Sequence, residues 1–142
     1  YMEKDALYPF GYGLTYGDVQ VTKAEILNKA AENSCIELEV TVKNRGTRDT
    51  EEVVQIYIKD LDSPLAVHNC SLCAFKRVML KAGDAESVKL AVPNSAMNVV
   101  NEQGERRVVS KNFKLFAGIS QPDQRSRKLT GTNPIELKVV LE

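Results

Sequence analysis

The chain has 142 residues and a mass of 15.8 kDa, the size of one domain and enough to bury a core without a metal or disulfide staple. Lys plus Arg and Asp plus Glu each total 19, so the formal net charge is zero. With no long basic run, no electrostatic footing exists for nucleic acid or an anionic membrane as partner, and no apolar stretch approaches the ~18 residues of a spanning helix.

The first residues, Tyr1-Met2-Glu3-Lys4-Asp5, show no basic region leading into an apolar one. No signal peptide is therefore expected, which points to a cytoplasmic location, and the Tyr at position 1 is expected of a piece of something larger. Tyr1, Tyr8, Phe10, Tyr12 and Tyr16 crowd into the first 16 residues with Gly11, Gly13 and Gly17. The glycines are spaced G-x-G-x-x-x-G, which misses the dinucleotide fingerprint, so phosphate binding is not expected. Glycines allow close backbone approach and Tyr and Phe supply contact area. Residues 1–17 thus read as an interdomain arm, a strap packed into a groove, and residues 18–142 as the domain proper.

Beyond the arm the apolar pattern has a period of two, the signature of half-buried strands. Val19 and Val21 give way to Ala24 and Ile26, a change of phase at Lys23 that predicts a bulge there. The stretch 24–31 lacks a clear helix cap and reads as a strand ending in a loop. Ile36, Leu38, Val40 and Val42 alternate with Glu37, Glu39, Thr41 and Lys43, and Val54, Ile56 and Ile58 follow suit. A mixed run covers 75–80. Val88, Leu90 and Val92 then alternate, as do Phe113, Leu115 and Ala117, and finally Ile135, Leu137, Val139 and Leu141. Turn signals separate the runs at Asn44-Arg45-Gly46, Lys81-Ala82-Gly83-Asp84, Glu102-Gln103-Gly104, Gln121-Pro122-Asp123 and Asn133-Pro134. About seven short strands with frequent turns predict an all-β fold, a two-sheet antiparallel immunoglobulin-like sandwich.

The outward-facing positions divide in two. Glu37, Glu39, Lys43 and Lys89 are charged, whereas the same parity elsewhere gives Val53, Tyr57, Phe116 and Val140. If the third, sixth and seventh strands share a sheet, those four residues lie on one outer face. They are then either scattered exposed apolar residues or a docking surface for another domain.

Candidate chemistry is sparse. Cys35, Cys70 and Cys73 are odd in number, so a disulfide framework is not expected and a reducing compartment fits better. Cys70-Ser71-Leu72-Cys73 has redox or half-zinc spacing, but Cys35 and His68 are the remaining ligand candidates, and no metal or cofactor is expected. Glu37 and Glu39 stand ~7 Å apart on a wet strand face, a glycosidase-like separation with nothing to split their protonation. His68 has no evident nucleophile beside it. Asp60-Leu61-Asp62 begins like a calcium loop yet has Leu65 and Ser71 where Gly and Glu are required. Asn69-Cys70-Ser71 is a glycosylation triplet.

Taken in order, several segments resemble one family. Leu7-Tyr8-Pro9-Phe10-Gly11-Tyr12-Gly13-Leu14-Thr15-Tyr16 is similar to the P-F-G-Y-G-L-S-Y stretch of glycoside hydrolase family 3. There it leads into a fibronectin type III-like domain of multidomain β-glucosidases and β-xylosidases. Val40 to Gly46 resembles V-x-V-x-N-x-G, Glu52 to Ile58 resembles E-V-V-Q-L-Y-V, and Leu72 to Val78 resembles L-x-G-F-K-R-V with Ala74 in place of Gly. Leu80 to Gly83 follows as L-x-x-G. Val109 to Phe113 departs from the commoner P-G-E-F, which leaves the hairpin before Phe113 open.

The resemblance implies a division of labour. Such enzymes hydrolyse β-glycosides with retention, using an Asp nucleophile in a (β/α)8-type domain and a Glu acid/base usually in a neighbouring α/β domain. The nucleophile's Asp-Trp context is absent from a chain with no Trp, so no catalytic residue is carried over. The chain is expected to be a non-catalytic accessory domain that braces the catalytic domains of the same polypeptide through Tyr8, Phe10, Tyr12 and Tyr16 and through Val53, Tyr57, Phe116 and Val140. A β-linked oligosaccharide or glycoside would be the parent's substrate. In some relatives a loop of this domain reaches the active-site rim, which makes Asp62, His68 and Asn69 rim candidates; a solvent-exposed linker is the other reading of that loop. The alternative function is a free-standing carbohydrate- or protein-binding immunoglobulin-like module.

Overall fold

The computed structural model describes residues 7–13, 17–28, 35–66 and 69–141. Strands β1 (Val19–Ile26), β2 (Ile36–Asn44) and β5 (Ala85–Val92) form one antiparallel sheet in the order β1-β2-β5. Strands β3 (Thr50–Asp60), β4 (Ser71–Leu80), β8 (Asn112–Gly118) and β9 (Ile135–Val140) form the second, in the order β4-β3-β8-β9. Between β5 and β8 lie a 3-10 turn at Asn94–Met97 and a two-residue ribbon of β6 (Val99–Val100) and β7 (Arg106–Arg107). This is the immunoglobulin-like sandwich, with seven longer strands and the small ribbon among the described residues.

Alternation decides which side chains meet between the sheets. Ile36, Leu38, Val40 and Val42 of β2 are fully buried, and Val54, Ile56 and Ile58 face them from β3. Val88, Leu90, Val92, Phe113, Leu115, Ala117, Val139 and Leu141 complete the layer, with Ile135 and Leu137 half-buried against it. Each such aliphatic burial contributes about 1.5–3 kcal/mol gross, so the core accounts for itself without a ligand.

Two bulges shift the phase of this pattern. The β1–β2 register slips between Val21 and Lys23, leaving Thr22 as the extra residue, one position ahead of the predicted Lys23. The Thr22 hydroxyl donates to the Thr41 carbonyl at 3.2 Å. A second slip lies between Ile56 and Tyr57 on β3, opposite Cys73, whose thiol lies 3.2 Å from the Ile56 carbonyl as its donor. The apolar pattern of 75–80 is mixed because β4 carries apolar residues on both faces, Phe75 and Met79 outward and Val78 and Leu80 toward the core.

One short helix, α1 (Gln124–Thr130), is absent from the sequence expectation, which placed only a turn at Gln121-Pro122-Asp123. Its limits are set by its ends: Asp123 Oδ1 accepts from the Ser126 amide at 2.9 Å, and Gly131, at φ 68°, donates to the Arg127 carbonyl at 3.0 Å. Its one aliphatic residue, Leu129, gives no helical stripe to detect.

At one end of the sandwich the turns are tied together by Asn44, which is fully buried. Its Oδ1 accepts from the Gly46 amide at 2.9 Å, while Nδ2 donates to the Arg48, Lys81 and Leu80 carbonyls at 2.8, 3.2 and 3.4 Å. A single carboxamide thus joins the β2–β3 connection to the β4–β5 turn.

Candidate docking surface

The outer face of the four-stranded sheet follows from its register. Val53 stands opposite Arg77, Gln55 opposite Phe75 and Gly118, and Tyr57 opposite Leu72 and Phe116. Phe116 is opposite Glu136 and Asn112 opposite Val140. Directly opposed residues share a face, so Val53, Tyr57, Phe116 and Val140 all point away from the core.

Their exposure differs from the expectation of a bare patch. Val140 is 61% exposed and Val53 half-buried, but Tyr57 and Phe116 are 1% and 7% exposed. The chain covers those two itself. Gly11 of the arm lies over Tyr57, and Lys114 stands with its ammonium 5.8 Å from the centre of the Phe116 ring. Lys114 is held by Glu136 at 3.0 Å, and Arg127 of α1 reaches the same carboxylate at 3.7 Å. Tyr57 and Phe116 are therefore corrected from docking residues to the floor on which the arm and its neighbours rest.

The anchor of the arm is Gln55, a buried polar side chain. Its Nε2 donates to the carbonyls of Gly11 and Ile119, each at 3.1 Å, and its Oε1 accepts from the Tyr57 hydroxyl at 2.6 Å. Both amide hydrogens and one lone pair of the carboxamide are thereby engaged, so neither end is left unpaired. Gly11 has φ 75°, and a Cβ there would overlap Gln55 Oε1 and stand 2.6 Å from Tyr57 Oη. Glycine is needed for both reasons. Burial, followed by the Asp123 charge and then Cys70, pushes the Tyr57 hydroxyl up to about 12.

The rest of the described arm is split between buried and bare. Pro9 is buried and accepts from the Tyr12 amide at 3.2 Å, and the Tyr8 and Tyr12 rings stack at 6.0 Å. Yet Leu7, Tyr8 and Phe10 are 72%, 69% and 63% exposed. Tyr16 lies outside the described residues. At the β4 edge of the same face Phe75 and Met79 are also exposed. The sequence pattern did not single them out because Val78 and Leu80 put apolar residues on the opposite face of the same short run, and Gln55 escaped because a polar residue on an outward parity looks solvated.

The loop after β3 is a separate feature. The Asp62 carboxylate accepts from the amides of Lys111 and Asn112 at 3.1 and 2.9 Å and from Asn112 Nδ2 at 2.9 Å. These bonds, the Asn112 amide first, hold its carboxyl below the usual Asp range. Asp60 Oδ1 accepts from the amides of Asp62 and Ser63, and Oδ2 from the Ser110 hydroxyl at 2.7 Å. These carboxylates pin the loop to β8 and the segment before it. Asn69 is exposed, and His68 lies outside the described residues.

The remaining candidates find little support for chemistry. Burial pushes the Cys73 thiol up to about 12 and raises Cys70 as well, the opposite of what an activated thiolate needs. Glu39 pairs in register with Lys89, and Glu37 is exposed. Among the described residues no three His, Cys, Asp or Glu side chains gather as a metal site, and no helix is long and apolar enough to cross a membrane.

Residues 52–121, which contain Gln55, Tyr57, Phe75 and Phe116, match the family model of the fibronectin type III-like domain. The chain is a fibronectin type III-like domain. It is 30% identical over 126 residues to a putative β-xylosidase of Formosa agariphila, covering 88% of this chain and 17% of that protein. It is 32% identical over 132 residues to the xylan 1,4-β-xylosidase of Xylanibacter ruminicola, covering 90% of this chain and 15% of that protein. A family 3 β-glucosidase of Bifidobacterium adolescentis shares the fold, with a TM-score of 0.81 at 24% identity over 98% of this chain and 19% of that one. The domain thus spans less than a fifth of the proteins it matches.

Proposed function

We propose that this fibronectin type III-like domain is a non-catalytic accessory part of a family 3 β-glycosidase and braces the catalytic domains of the same polypeptide. One observation carries the reading: the arm is pinned to its own sheet through Gly11 and Gln55, while its Leu7, Tyr8 and Phe10 are left bare. An aromatic strap that is fixed yet uncovered has the form of a surface made to be met by a neighbour. The parent's action on a β-linked oligosaccharide or glycoside belongs to this proposal, supported by the β-xylosidases and β-glucosidase to which the domain is similar.

The test compares the isolated domain with the full-length parent. The parent is expected to release nitrophenol from aryl β-glucosides or β-xylosides and the isolated chain to release none. Tyr8→Ser with Phe10→Ser is expected to leave the isolated domain's melting temperature unchanged and to lower that of the parent. Enzyme-like turnover by the isolated chain, or equal destabilisation in both contexts, would overturn the bracing role. Millimolar or tighter oligosaccharide binding by the isolated chain would favour a carbohydrate-binding module instead.

A further inference from the structure

We infer that the free edge of β4 takes up one further strand, an extended carboxylate-bearing segment of the parent polypeptide outside these 142 residues; this rests on the accessory reading above. β4 is ten residues long and, among the described residues, has β3 as its one strand neighbour. An edge of that length offers a row of unpaired amide and carbonyl groups, the template for strand addition. Phe75 and Met79 stand beside it on the outer face, 69% and 67% exposed. A groove between the edges of β4 and β5 is lined by Ala74, Lys76, Lys89, Leu90 and Ala91.

Charge selects the occupant. Lys76 and Arg77 are consecutive, so β4 carries a cation on each face at its centre. Two copies of β4 paired antiparallel about its middle would bring the two Lys76–Arg77 pairs opposite or within two positions of each other, a like-charge arrangement that disfavours self-pairing. A strand bearing carboxylates at those positions turns the same cations into attraction, with apolar neighbours covering Phe75 and Met79. Arg77 bonds Glu51 at 3.2 Å with both side chains well exposed, a weak surface pair that leaves the guanidinium open to a second carboxylate. The polypeptide able to supply such a segment is ample, because the domain spans 15–17% of the β-xylosidases it matches.

Residue-resolved hydrogen exchange on the full-length parent tests this. Every amide across 73–79 is expected to be slow, since an added strand protects the alternate amides that β3 leaves free. Lys76→Glu with Arg77→Glu is expected to speed those alternate amides at least tenfold while β2 stays protected. Fast alternate amides in the unmodified parent would overturn the inference, as would charge reversal without effect. Protection that grows with protein concentration would assign the edge to a second copy and overturn it too. Should the reversed variant lose β2 protection through misfolding, the pattern in the unmodified parent decides. If Phe10→Ser weakens the parent while these amides are fast, strand addition fails and arm docking stands.

Discussion

Gln55 and Tyr57 sit two residues apart on β3, and the Tyr57 hydroxyl donates to Gln55 Oε1 at 2.6 Å. That bond orients the carboxamide so that its other end meets the carbonyls of Gly11 and Ile119. Loss of the carboxamide should therefore release the arm before it disturbs the core. Gln55→Ala is expected to cost about 1–3 kcal/mol by leaving buried partners unsatisfied, measured by urea denaturation. Limited proteolysis should cut first at the arm.

Gly11→Ala strikes the same junction from the other side. A side chain there must adopt a left-handed backbone and displace Gln55 and Tyr57. Arm release is expected to lower the urea m-value slightly, since surface is already exposed in the folded state, with Tyr57 becoming accessible to chemical nitration. Retained protection of Tyr57 would show that the arm does not depend on this contact.

Tyr57 also sets an alkaline limit. Its hydroxyl titrates near 12 in the folded chain and near 10 in the unfolded one, so the unfolded state loses its proton first as pH rises. The stabilisation is complete below about pH 10 and is lost as pH climbs toward 12, about 2–3 kcal/mol in all by linkage. Tyr57→Phe should flatten that limb of the stability profile.

Asp62 acts at the acid end with the opposite sign. Its carboxyl is held below its unfolded value, so its contribution is present above about pH 4 and disappears as pH falls through the folded value. The melting temperature of Asp62→Asn should lie below that of the unmodified chain at pH 7, and the two should converge in acid. Parallel curves would show that the Asn112 bonds carry no net charge dependence.

Asn44 is expected to be the costliest polar position. Asn44→Ala removes one acceptor and the two amide hydrogens that reach three carbonyls, a loss of about 1–3 kcal/mol by urea denaturation. Asn44→Asp, which replaces the donor with a charge facing three carbonyls, should be worse.

The strands were readable because Ile36, Leu38, Val40 and Val42 repeat at the period of the pleat, a property local to each segment. Parity also placed Val53, Tyr57, Phe116 and Val140 on one side correctly. What escaped was cover supplied from afar: Gly11 is 44 residues from Gln55, and Ile119 is 64 away. The seven residues of α1 escaped for another reason, since a helix defined by Asp123 and Gly131 at its ends leaves no periodic trace. Phe75 and Met79 were masked by Val78 and Leu80, which make the same run apolar on its inner face as well.

Because the arm is fastened to β3, an interior strand of its sheet, force applied at Phe10 enters the sandwich at its middle instead of peeling an outer strand. Load in that direction is shared as shear by the ladders on both sides of β3, whose bonds must break together. A tether attached in this way resists being stripped off by the motions of whatever it holds.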